Sequence, residues 1–177
     1  MVIQNNRILV VINGRARAGK DYFASSVAAN YNGHCAVISS VDEVKLAARH
    51  LGWDGVKDER GRQFLSDLKD MATREYDGPM NNMALRIDKI CREWHWPIIF
   101  VMIREPEEIA KFCKRFPDAL TLLVRRDGLE EFSNHADSNV ENYSYDIIVE
   151  NNGTLEDLVD SSRSFLDLMR RKFSPIV

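Results

Sequence analysis

Apolar positions along the chain follow two alternating periods. Short, nearly unbroken apolar runs stand at residues 7–13, 35–39, 97–103, 120–124 and 145–150. Their length and Val/Ile content predict strands. Between them apolar residues recur at helical spacing. Phe23, Val27 and Ala28 share one face of a helix over 21–30. Asn32-Gly33 ends it, and a second helix over 41–51 stops at Gly52. In 59–76 the residues Phe64, Leu65, Leu68, Met71 and Ala72 keep the same period despite heavy charge. Asp77-Gly78-Pro79 is expected to break that helix, and the next to run over 81–96 until Pro97. Helix 105–115 carries Pro106 in its first turn, where a missing N–H costs nothing. A closing helix over 154–172 opens on Thr154-Leu155-Glu156-Asp157, the pattern of a capped start. Residues 126–142 are polar and show no strong period.

Strands separated by helices imply an α/β fold with a parallel sheet and right-handed crossovers. The run from Pro97 to Ile103 has no polar residue, which suits a central strand covered on both faces. Ligands of such sheets bind beyond the carboxyl ends of the strands. The residues that follow each strand are therefore the ones to read for chemistry.

One such segment is distinctive. The strand at 7–13 runs into Gly14-Arg15-Ala16-Arg17-Ala18-Gly19-Lys20-Asp21, and a helix follows. This is Gly-x-x-x-x-Gly-Lys in the strand–loop–helix setting of a phosphate-binding loop. Glycines let backbone N–H groups converge on phosphate oxygens, the helix start adds positive dipole, and Lys20 adds a point charge. Asp21 stands where Ser or Thr usually holds Mg²⁺. It is read as a metal ligand or as a first-turn acid complementing the helix dipole.

Bulk properties narrow the function classes. A chain of 177 residues is expected to form one domain over 1–177. A net charge of −3 offers no general attraction to nucleic acid, so a DNA- or RNA-processing role is disfavoured. The sequence has no apolar run long enough to span a membrane, and its start does not read as a signal peptide. Cys35, Cys91 and Cys113 fit neither a disulfide framework nor a metal pattern, so buried, reduced thiols and a cytoplasmic location are expected.

Four stretches resemble the nucleoside monophosphate kinase-like group of phosphate-loop proteins, in particular phage-type deoxynucleoside monophosphate kinases and animal-type phosphomevalonate kinases. They are Gly14 to Asp21 with its Gly-Lys-Asp ending, Ser39-Ser40-Val41-Asp42-Glu43-Val44-Lys45, the segment 97–109 with Arg104 and Glu108-Ile109, and the segment 145–158 with Asn151-Asn152-Gly153. The resemblance implies a three-layer fold with a five-stranded parallel sheet in the order 2-3-1-4-5. It also implies a helical acceptor-binding insert at about 41–96 and a short lid at about 125–143. ATP and Mg²⁺ are the implied cofactors. The implied activity is transfer of a phosphoryl group to a small phosphorylated acceptor, a (deoxy)nucleoside monophosphate first, with phosphomevalonate or dephospho-coenzyme A as alternatives. The chain departs from the group in three places: the third strand ends Met102-Ile103-Arg104 without the usual aspartate, no proline stands near Asp42, and the loop from Arg125 to Asn142 holds only two arginines, both at its start. A nucleotide-binding regulatory protein with little turnover is therefore the alternative of another class. The oligomeric state is left open, a homodimer included.

Residue by residue, the resemblance and the topology assign the following. Lys20 and the loop from Gly14 through Arg15, Ala16, Arg17, Ala18 and Gly19 to Asp21 and Tyr22 would hold the nucleotide phosphates. Asn152 and Gly153, at the last strand exit, would cup the base. Asp42 would hold Mg²⁺ or activate an acceptor hydroxyl, or else serve as a helix cap. Lys45 and Arg49 would clamp an anionic acceptor, and Arg104 would meet phosphate or acceptor in the crevice. Arg125 and Arg126 would begin the lid and neutralise the transferring group. His135 and Asp137 lie in the lid. Arg62, Lys69 and Arg74 are read as a solvated helix face. Trp53, Trp94 and Trp96 are read as packing residues.

Overall fold

The computed structural model describes residues 7–129 and 139–173. Five parallel strands form one sheet in the order β2-β3-β1-β4-β5. They are β1 (Ile8–Asn13), β2 (Cys35–Ser39), β3 (Ile98–Met102), β4 (Leu120–Arg125) and β5 (Ile147–Glu150). The helices are α1 (Lys20–Asn30), α2 (Asp42–His50), α3 (Glu59–Tyr76), α4 (Gly78–Glu93), α5 (Pro106–Arg115) and α6 (Leu155–Lys172). The predicted sheet order and three-layer arrangement are thus observed.

Strand alternation explains the layers. Ile8, Val10 and Ile12 of β1 point to one face with Phe100, Leu122 and Val124, and α1 and α6 cover them through Phe23, Val27, Phe165 and Leu166. Leu9 and Val11 point to the other face with Ile99 and Val101, covered by Met83 and Ile87 of α4 and Ile109 and Phe112 of α5. Every residue of β1 is buried. That placement in the middle of the sheet holds the loop after Asn13 in the crevice between the flanking strands.

Three boundaries differ from expectation. Helix α4 begins at Gly78 rather than 81, because Asp77, at φ 50°, serves as both the C-cap of α3 and the N-cap of α4. Pro79 then occupies the first turn, where its missing N–H is no loss. The same helix ends at Glu93, where Trp94 turns extended and stacks on His34 with ring centroids 4.8 Å apart. Strand β5 begins at Ile147 rather than 145. Asp146 is occupied by Thr121, whose N–H and hydroxyl both donate to Asp146 Oδ2 at 2.8 Å. The cysteines are free and only partly buried. No helix among the described residues is long and apolar enough to cross a membrane.

Helices α2, α3 and α4 lie between β2 and β3, as the predicted insert requires. Of these, α4 sits on the sheet through Met80, Met83 and Ile87, and α3 packs against both α2 and α4. The opposite edge of α4 is therefore free to wall a cavity with α2.

Candidate functional site

The loop after β1 is shaped by close backbone approaches. A Cβ at Gly14 would lie 2.5 Å from the carbonyl oxygen of Val124, so only glycine lets the loop lie against the exit of β4. Gly19 has φ 98°, and a Cβ there would meet Asn151 Nδ2 at 2.4 Å. The Ala18 N–H donates to Arg15 O at 3.1 Å, closing a turn, and Arg17 takes φ 65°. That left-handed conformation costs a residue with a side chain about 1 kcal/mol. Asn151 Nδ2 donates to Ala18 O at 2.9 Å, while the Asn151 N–H donates to Arg125 O at 2.7 Å. One buried asparagine thus ties the loop to the exits of β4 and β5.

Helix α1 starts at Lys20 with Gly19 as N-cap, and no side chain caps it. The first-turn N–H groups of a helix have no partner within the helix, so this start is suited to an anion. Lys20 is half-buried there, and Asp21 and Tyr22 are exposed. The elements needed to hold a polyphosphate are present: a curled glycine loop, an uncapped helix start and a lysine at its first position.

Asn13, which precedes the loop, was not picked out by sequence reasoning. Its side chain is 1% exposed. Oδ1 accepts from the Gly14 N–H at 2.8 Å, and Nδ2 donates to Arg104 O at 2.9 Å and to Tyr145 Oη at 2.8 Å. Tyr145 in turn donates to Val140 O at 2.8 Å. Burial pushes the Tyr145 phenol up to about 12, against a smaller opposing effect of the Asn13 hydrogen bond. Nothing local in the sequence signals this residue; an asparagine at a strand end usually reads as turn chemistry.

The predicted lid arginines separate. Arg126 is exposed. Arg125 is half-buried and forms ion pairs with Glu150 at 3.0 Å and Glu141 at 3.6 Å. Arg15 pairs with the same Glu141 at 3.6 Å. Asn152 clasps Asp127, accepting from its N–H and donating to its carboxylate, both at 2.8 Å. Gly153 lies against the carboxylate of Asp157, which completes a capping box with Thr154. Arg104 is half-buried two residues after β3; no carboxylate stands at Met102, Ile103 or Arg104, and Glu105 follows as the N-cap of α5. His135 and Asp137 lie outside the described residues.

A second group gathers beside β2. A cavity of about 650 Å³ opens between α2 and α4, lined by Asp42, Glu43, Lys45, Leu46, Arg49, Arg86, Lys89, Ile90 and Glu93. Asp42, Lys45 and Arg49 thus line one cavity. Asp42 Oδ2 takes the Ser39 N–H at 3.0 Å and Arg86 Nη1 at 2.6 Å. Val41, not Asp42, is the N-cap of α2. Arg86 and Lys89 were missed in the sequence. They stand on α4 beside its core residues, and the Asp42–Arg86 pair spans 44 residues, beyond any local spacing rule. The helix-face reading of α3 holds for Arg74, an exposed partner of Glu75, whereas Lys69 is a half-buried partner of Glu108 at 2.7 Å. Among the described residues no three His, Cys, Asp or Glu side chains gather as a metal site.

No protein-family model matches the chain, and no curated protein matches it in sequence. Solved structures do. A shikimate kinase from Aquifex aeolicus superposes with a TM-score of 0.52 at 15% identity, over 95% of this chain and 99% of that one. A sugar kinase from a Janibacter species gives 0.52 at 13% identity, over 91% and 95%. A gluconokinase from Sinorhizobium meliloti gives 0.51 at 11% identity, over 96% and 97%. The chain has the fold of these proteins. The likeness covers nearly the full length on both sides.

Proposed function

We propose that the protein is an ATP-dependent phosphotransferase that moves the γ-phosphoryl group of ATP to a small anionic acceptor. The observation that carries this reading is the glycine-built loop and uncapped start of α1, accompanied by a charged cavity between α2 and α4. The fold shared with a shikimate kinase, a sugar kinase and a gluconokinase supports it.

In this reading the amides of residues 14–21 and Lys20 bind the β- and γ-phosphates. Arg125 and Arg126 offset charge on the transferring group. Asn152 and Gly153 flank the base. Mg²⁺, when bound with the nucleotide, neutralises phosphate charge. Asp21 at the start of α1 would share in holding it, or else Asp42 after β2 would. The α2–α4 cavity receives the acceptor. Its four cations, Lys45, Arg49, Arg86 and Lys89, outnumber its three carboxylates, which suits an acceptor carrying a phosphate or carboxylate. Asp42 Oδ2 is taken by Ser39 and Arg86, and Oδ1 would accept from an acceptor hydroxyl. A (deoxy)nucleoside monophosphate is the favoured acceptor, and phosphomevalonate and dephospho-coenzyme A follow. The reaction would run in the cytoplasm within a single domain.

The lack of a carboxylate at Met102, Ile103 and Arg104 favours a second reading, a nucleotide-binding regulatory protein with little turnover. The test is ADP release from MgATP across ribo- and deoxynucleoside monophosphates, phosphomevalonate and dephospho-coenzyme A, beside Lys20→Ala. Turnover with one acceptor that Lys20→Ala abolishes supports the kinase. MgATP binding with no acceptor-stimulated release supports the regulatory protein.

A further inference from the structure

Glu141 stands near the end of the predicted lid and lies between two arginines of the loop site. Its Oε1 is 3.6 Å from Arg15 Nη2, and its Oε2 is 3.6 Å from Arg125 Nε. Arg15 is the second residue of the glycine loop. Arg125 follows Val124, whose carbonyl rests against Gly14. Both arginines therefore border the space beside the glycine loop. The two contacts are in ion-pair range but too long for hydrogen bonds. The Nε of Arg15 and the Nε of Arg125 are shut off from solvent without a hydrogen-bond partner among the described residues. One carboxylate thus links two cations without hydrogen-bonding either, while Arg125 Nη1 keeps a separate hydrogen bond to Glu150 at 3.0 Å.

We propose that Glu141 is an internal occupant of the phosphate site: it holds Arg15 and Arg125 until a polyphosphate displaces it. This rests on the reading of the loop as a nucleotide site. A phosphate group offers three acceptor oxygens and more charge than a carboxylate, so it can hydrogen-bond guanidinium groups that Glu141 only neutralises. Glu141, with Glu150, offsets the charge of Arg15 and Arg125. It also sets a threshold. A ligand must supply enough phosphate charge to take both arginines, which favours the triphosphate over ligands with fewer phosphates. The apparent affinity is lowered by the fraction of molecules in which Glu141 holds the arginines.

The experiment is calorimetric titration of the full-length protein with MgATP, without acceptor, for the wild type, Glu141→Gln, Arg15→Met and the double variant. Glu141→Gln is expected to tighten MgATP about three- to tenfold, the range two partly exposed ion pairs allow. In the Arg15→Met background the gain should shrink to about twofold or less. An equal gain in both backgrounds would mean a general charge effect and would reject the proposal. Unchanged or weaker binding by Glu141→Gln would reject it as well, since Glu141 would then be orienting the arginines for the ligand. If wild type and Glu141→Gln are both folded by circular dichroism and neither binds MgATP, the nucleotide reading itself fails and this one with it.

Discussion

Asn13 donates a hydrogen bond to Tyr145 at 2.8 Å across a separation of 132 residues. The pair joins the first strand to the segment that returns from the lid region. The same asparagine holds Gly14 N–H and Arg104 O, so the ends of β1 and β3 and the return to β5 converge on one buried amide. Removing it leaves a buried N–H, a carbonyl and a phenol short of a partner. Asn13→Ala is expected to lower the unfolding free energy by about 2–4 kcal/mol, the range for a buried multiply bonded polar group. Urea denaturation checks this. Tyr145→Phe, which loses only the hydroxyl contacts, should cost less.

Tyr145 also predicts an alkaline effect. Its phenol is raised from 10.0 to about 12, mainly by burial. The native state therefore holds this proton more tightly than the unfolded chain does. The stability this represents is fully present below pH 10 and is lost as pH rises through about 12. Burial raises Tyr31 and Tyr143 as well, so tyrosinate absorbance should show more than one late-titrating tyrosine, and Tyr145→Phe should remove one of them. The urea midpoint should fall less steeply above pH 10 in that variant.

Gly19→Ala tests the loop itself. The substitution places a Cβ 2.4 Å from Asn151 Nδ2 at a φ of 98°, so either the asparagine or the loop must move. A residue forced into such a region costs about 1–3 kcal/mol. The expected outcome is a stability loss in that range and loss of MgATP binding by calorimetry. Gly128, also at positive φ, has nothing within 4 Å of its would-be Cβ. Gly128→Ala should pay only backbone strain and retain binding.

The part of this molecule legible in the sequence is the part written in short-range patterns. The apolar runs gave all five strands, and Gly14, Gly19 and Lys20 marked the loop because chain geometry demands those residue types close together. Thr154 and Asp157 showed the cap of α6 for the same reason. Pairings between distant segments left no such trace. Asn13 with Tyr145, Asp42 with Arg86, and Arg15 with Glu141 are each joined by the fold rather than by spacing. Pro79 misled because proline both breaks helices and begins them, and the choice depends on the φ of Asp77. Arg125 was located correctly at the end of β4, but its carboxylate partners lie on the return to β5 and on β5 itself.

Two ion pairs of the insert differ in their exposure to solvent. Lys69–Glu108 joins α3 to α5 at 2.7 Å with both side chains largely covered, 16% and 24% exposed. Arg86–Asp42 joins α4 to the start of α2 at 2.6 Å, but its side chains are 36% and 33% exposed at the cavity wall. Breaking a pair open to water costs about 1 kcal/mol or less, whereas uncovering a partner in a drier setting costs more. Lys69→Met should therefore destabilise the protein more than Arg86→Met in urea denaturation. If the cavity receives the acceptor, activity should rank the other way. Arg86→Met is expected to raise the acceptor KM at least about tenfold, as loss of a charged hydrogen bond to a substrate anion does, with the KM for ATP nearly unchanged. Lys69→Met should leave both constants within about twofold. An Arg86→Met enzyme with unaltered acceptor KM would remove the α2–α4 cavity from the catalytic site and return the Asp42–Arg86 pair to a purely structural role.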